Sequence, residues 1–200
     1  HNAAILGILG VGKSFLALEL VERMIDAGIR VVCLDLTDQY SSELGEFLDA
    51  DLEEKAREEL ARLGPPGKTN VKKNVEEGGS IGAFTAKLKE QLAAFLDPAG
   101  GSKLRILNPS RFEVWRQDSK PFQDQASMAT LSPAEITRLI TESVLGVLQA
   151  QGLSETARCC ILYEEAHSLI PEWNAVASEG DKTATNGTAK AILQGRKFGL

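Results

Sequence analysis

Apolar residues along the chain follow two alternating rhythms. Residues 3–6 (Ala, Ala, Ile, Leu) are a short apolar run that ends at Gly7. From Lys13 to Ala27 the apolar positions Phe15, Leu16, Leu18, Leu20, Val21, Met24 and Ile25 follow a helical period, and Gly28 supplies a stop signal. Residues 29–36 then run apolar and β-branched, as a strand buried on both faces requires. A strand, a helix and a second strand in so short a space predict one parallel βαβ unit.

From Ser41 to about residue 99 the character changes. Residues 44–63 are charged with helical periodicity, and Gly64, Pro65, Pro66 and Gly67 break the pattern. A polar stretch with Lys72, Lys73, Glu76 and Glu77 follows, then an amphipathic helix over 81–96 closed by Asp97 and Pro98. The pattern predicts a helical insertion at about residues 42–100, within a single core spanning 1–200. Lys72 and Lys73 read as a solvated loop rather than a phosphate-backbone contact. Residues 104–107 predict a strand, and 111–117 an extended segment. Ser132, Pro133 and Glu135 combine an N-cap, a proline at the first helical position and an acid in the first turn, so a helix runs from there to about Gln151. Residues 159–163 predict another buried strand, and 183–196 a last helix. This alternation predicts an α/β fold with a mostly parallel sheet between helices. Ligands of such sheets bind outside the carboxyl ends of the strands.

Two features fall at such ends. Gly7-Ile8-Leu9-Gly10-Val11-Gly12-Lys13-Ser14 satisfies G-x-x-x-x-G-K-[ST] at every fixed position, between an apolar run and an amphipathic helix. The glycines let successive N–H groups turn toward phosphates, and the following helix aims its positive end at the same point. The loop residues Gly7, Gly10, Val11, Gly12, Lys13 and Ser14, with Phe15 beside them, are therefore the candidate contacts of ATP. Lys13 is expected at the β and γ phosphates and Ser14 at Mg²⁺. The second feature is the acidic pair Glu164 and Glu165 after the run at 159–163. Adjacent residues of an extended chain point to opposite sides, so Glu164 is assigned to the metal shell and Glu165 to the attacking water. His167 reads equally as a γ-phosphate sensor and as a histidine bonded to backbone.

Composition changes this picture little. The hydrophobic share of 43% and charged share of 25% are those of an ordinary globular chain. The net charge of −6 excludes bulk attraction to nucleic acid but not a local basic lining. Cys33, Cys159 and Cys160 sit in apolar runs without metal-ligand spacing and read as buried thiols. No apolar run reaches the roughly 20 residues that span a bilayer, and no signal peptide opens the chain, so the expected location is cytoplasmic.

Four segments resemble the HerA branch of the HerA–FtsK ATPases. Residues 1–14 resemble the family's opening strand and loop. Asp35-Leu36-Thr37-Asp38-Gln39-Tyr40-Ser41 resembles its D-P-x-G-E-Y stretch, with Asp38 and Gln39 where the family has glycine and glutamate. Glu164-Glu165-Ala166-His167 resembles its acidic motif, and Gly195-Arg196-Lys197-Phe198-Gly199 its G-R-K-[FY]-G segment. The resemblance is weak from about residue 44 to 131. It implies a RecA-like P-loop core, a homohexameric ring and ATP-driven movement on double-stranded DNA, with a partner nuclease in DNA end processing or defence. It further implies Asp35 near the nucleotide or the subunit boundary, and Arg196 as an arginine finger for the neighbouring subunit. Arg196 reads equally well as a helix C-terminal cation. Rival readings are an ATPase that energises secretion or conjugation, a nucleotide-gated assembly module, and a small-molecule kinase. No arginine-rich lid supports the last.

Overall fold

A computed structural model of the protein describes residues 2–7, 11–63, 76–118, 127–172 and 178–200. In chain order its elements are α1 (Lys13–Asp26), β1 (Arg30–Leu34), α2 (Gln39–Glu43), α3 (Ala50–Ala61), β2 (Glu76–Ser80), α4 (Ile81–Phe95), β3 (Leu104–Leu107), β4 (Phe112–Asp118), β5 (Ser127–Thr130), α5 (Pro133–Ala150), β6 (Cys159–Tyr163), α6 (Ala166–Leu169) and α7 (Glu179–Gly195). The expected loop residues Ile8, Leu9 and Gly10, the breaker at 64–67 and the pair Lys72 and Lys73 lie outside the described residues.

Strand β1 organises the molecule because both of its faces are apolar. Val31 and Cys33 pack with Ala17, Val21 and Ile25 of α1. Val32 and Leu34 pack on the other face with Leu88 and Leu92 of α4 and Ile140 and Val144 of α5. Burying each such side chain contributes about 1.5–3 kcal/mol, enough to place helices on both sides. The strands pair in parallel in the order β3-β1-β6, so the predicted α/β architecture with a mostly parallel sheet between helices is present.

Three expectations are corrected. Residues 2–7 form no strand: they make no ladder bonds, and Leu6 is 89% exposed. An apolar run marks surface that burial would favour, but a strand also needs a neighbouring backbone. Residues 159–163 do form β6, yet only its Cys159 is buried, because β6 is an edge strand of the described sheet. The segment expected to be a helical insertion also contains strand. Its helices are α2, a short 3-10 turn, α3 (capped by Asp49) and α4, while β2 pairs in parallel with β4 and β4 antiparallel with β5 to make a second sheet. Glycines and charges in β2 hide this strand from periodicity.

The helices α5 and α7 start side by side. Ser132 Oγ accepts from the Glu135 N–H (3.2 Å), and Glu135 Oε2 accepts from the Ser132 N–H (2.9 Å), a complete capping box. Ser178 and Asp181 form the same box on α7, which therefore begins four residues earlier than the predicted 183. Ser132 Oγ also donates to Asp181 Oδ1 (2.5 Å), linking the two boxes. That bond is the largest effect on the Asp181 carboxyl; burial opposes it, and the bonds from Ser178 add to it, so the carboxyl lies below its ordinary value. A depressed carboxyl contributes stability above its unfolded-state value and loses it as pH falls through the folded one. Ser132→Ala is therefore expected to cost about 1–2 kcal/mol in urea unfolding at pH 7. The gap to the parent should narrow below pH about 4.

The Gly195-to-Gly199 segment folds back on the start of β6. The Gly199 carbonyl accepts from the N–H groups of Arg158 (2.8 Å) and Cys159 (3.1 Å). Gly199 has φ 81°, and a Cβ there would lie 2.7 Å from the Thr156 carbonyl oxygen, so glycine is required. No helix among the described residues is long and apolar enough to cross a membrane.

Candidate functional site

The carboxyl ends of the parallel strands carry most of the sequence-predicted chemistry. Helix α1 turns through Gly28 into β1, so the two run antiparallel. Its 14 residues span about 21 Å, and the five of β1 about 17 Å. The amino end of α1, with Lys13 and Ser14, therefore lies toward the end of the sheet where Glu164 follows β6.

At that end Gly12 occupies the N-cap of α1 with φ 85°, a left-handed conformation that glycine adopts without strain. Helices α3, α4, α5 and α7 are capped by the side chains of Asp49, Ser80, Ser132 and Ser178. Among the described residues α1 has no side-chain cap and no acid in its first turn. The Lys13 ammonium folds back to donate to the Gly7 carbonyl (2.8 Å), placing a cation across the loop. Gly7 and Val11 are exposed, Ser14 is half-buried, and Phe15 stands 75% exposed beside them.

Asn108, Asp35 and Glu164 follow β3, β1 and β6 in the order of the strands. The Asp35 N–H donates to Leu107 O (3.1 Å) and the Glu164 N–H to Leu34 O (3.0 Å), so both residues extend the ladder. Asp35 is fully buried, and its carboxylate closes a turn. Oδ1 accepts from the Thr37 N–H (2.8 Å) and hydroxyl (2.7 Å), and Oδ2 from the Tyr40 N–H (2.9 Å). These bonds supply the compensation that a buried carboxylate needs. Asp35 thus shapes the loop beside the site.

That turn delivers Tyr40, fully buried, whose hydroxyl donates to Glu164 Oε2 (2.9 Å). Burial, then the bond to Glu164 and its charge, push the Tyr40 phenol well above its ordinary range, so it stays a donor. The Cys33 thiol is likewise raised, by burial and then by the charges of Asp35 and Glu164, and is an inert core group. Asp38 accepts from Asn108 Nδ2 (3.3 Å) and pairs with the Arg111 guanidinium, fastening the turn to the end of β3.

Glu165 follows with φ 49° and ψ 50°. Asp38 and Glu165 are the two non-glycine residues with positive φ among those described, and both sit at carboxyl ends of the sheet. Such conformations cost about 1–3 kcal/mol and cluster at functional sites. The left-handed kink turns the chain out of β6 into α6. It leaves the Glu165 carboxylate half exposed, with Oε2 3.3 Å from His167 Nδ1.

Gly7, Val11, Gly12, Lys13, Ser14, Phe15, Asp35, Glu164 and Glu165 are thus toward one end of the sheet. Gly10 lies outside the described residues. Arg196 is not with them: its segment binds the amino end of β6, roughly 16 Å from Glu164 along the strand. Tyr40 and Arg111 were not assigned roles from sequence. Their partners lie 124 and 73 residues away, and no local pattern announces such pairs.

No group of three or more His, Cys, Asp or Glu side chains that could hold a metal exists among the described residues.

Fold and site together define an α/β chain with a mostly parallel three-stranded sheet flanked by helices. No protein-family model, curated protein or solved structure matches the chain.

Proposed function

We propose that the protein is a Mg²⁺-dependent P-loop ATPase with a RecA-like core, the motor of a HerA-type ring that moves double-stranded DNA. The observation that carries the nucleotide half is the intact G-x-x-x-x-G-K-S motif leading into α1, which among the described residues is the one long helix without a side-chain cap. An anion at that point would meet the positive end of α1 and the Lys13 ammonium.

The chain's own residues divide the work by position. Lys13 leaves the Gly7 carbonyl for the β and γ phosphates and offsets charge that develops on the transferred group. Ser14 and Glu164 would hold the metal. Mg²⁺, when bound, supplies electrostatic neutralisation of the phosphate oxygens. Glu165, exposed beyond the kink, orients the attacking water and accepts its proton. Phe15 offers an exposed ring to the nucleotide.

The motor half rests on the four motif resemblances. Arg196 is exposed and remote from Glu164 in its own chain, so a finger role requires a neighbouring subunit. ATP turnover should rise on adding duplex DNA, and mass measurement with ATP should give a hexamer. Stimulation by single-stranded DNA alone would favour a conjugative ATPase. ATP-dependent assembly without turnover would favour a nucleotide-gated module.

A further inference from the structure

We infer that Tyr40 is a positioning residue: its hydroxyl fixes the Glu164 carboxylate in the orientation that completes the metal site. The inference rests on the nucleotide reading above and deepens it.

A glutamate at a strand end has three rotatable bonds, and a half-buried one samples several rotamers unless a neighbour holds it. Tyr40 is such a neighbour. Its hydroxyl donates to Glu164 Oε2 at 2.9 Å from a side chain that is fully buried. The donor is braced through its own turn. The Tyr40 N–H donates to Asp35 Oδ2, and Asp35 Oδ1 takes both donors of Thr37. On the outer side of the turn, Asp38 is bound to Asn108 and Arg111, which belong to the neighbouring strand's end. Two adjacent loops therefore brace one phenol against one carboxylate. With Oε2 tied to Tyr40, a cation would be held through Oε1. The left-handed Asp38 is also explained: its carboxylate reaches Arg111, a contact that glycine cannot make.

The test measures metal binding apart from turnover. Mn²⁺ is titrated into the protein saturated with a non-hydrolysable ATP analogue, and free Mn²⁺ is read by electron paramagnetic resonance. Tyr40→Phe should weaken Mn²⁺ binding about tenfold, the loss of one hydrogen bond to a charged group. Affinity for the analogue without metal should stay that of the parent. Glu164→Gln alone should weaken Mn²⁺ binding, and adding Tyr40→Phe to it should change nothing more, since the two substitutions remove one device. Equal Mn²⁺ affinity in parent and Tyr40→Phe overturns the inference. So does a Tyr40→Phe effect that persists in full beside Glu164→Gln, or a fall in melting temperature and analogue affinity together, which marks a purely structural role. Failure of the parent itself to bind the analogue overturns the nucleotide reading instead.

Discussion

Lys13→Ala is expected to lower ATP turnover at least roughly 100-fold, the scale of losing one preorganised charge at a phosphoryl-transfer site. The ammonium donates to the carbonyl of Gly7, the first residue of the motif, at 2.8 Å. Alanine removes the charge while keeping the helix, since it is the best helix former and Lys13 is the first residue of α1. The variant should therefore fold and melt like the parent while losing nucleotide affinity as well as turnover. Steady-state phosphate release, with unfolding followed in parallel, measures both. Unchanged turnover would remove Lys13 from the site.

Glu165→Gln is expected to separate binding from chemistry. Glutamine matches glutamate in shape and bears the same left-handed φ of 49° at no greater cost, so the kink into α6 should survive. It cannot take up the proton of the attacking water. Turnover should fall roughly 10²–10⁴-fold, the range of a lost general base. Nucleotide affinity should remain, because Lys13, Ser14 and Glu164 are intact. A variant that binds ATP and hydrolyses it slowly is thus the expected product. If affinity fell with turnover, Glu165 would be holding the kink or the metal.

Much of this was legible along the chain, and the reason differs between elements. Helix α5 could be read from Ser132, Pro133 and Glu135, because a cap and its helix are neighbours in sequence. Strand β1 could be read because both of its faces are apolar. The loop and the acidic pair stand out along the chain because the proposed phosphate and metal chemistry would demand particular residues at fixed local spacing. Residues 3–6 show the limit: four apolar residues permit a strand, yet pairing is decided by a partner elsewhere. The second sheet failed for the converse reason, since backbone pairing with β4 organises the glycine-rich β2 although no apolar pattern marks it. The family resemblance puts Asp35 near the nucleotide or the subunit boundary, and its carboxylate is occupied by Thr37 and Tyr40. The Tyr40–Glu164 bond depends on β1 lying beside β6, which is a property of topology.

The central claim is that the loop from Gly7 to Ser14 holds a nucleoside triphosphate. Titration calorimetry of ATP into the protein, with Mg²⁺ and with chelator, tests it most directly, provided Lys13→Ala is run beside the parent. The expected result is saturable one-to-one binding that tightens with Mg²⁺ and is lost in Lys13→Ala. Absence of binding in the folded parent, or binding that Lys13→Ala leaves intact, would contradict it.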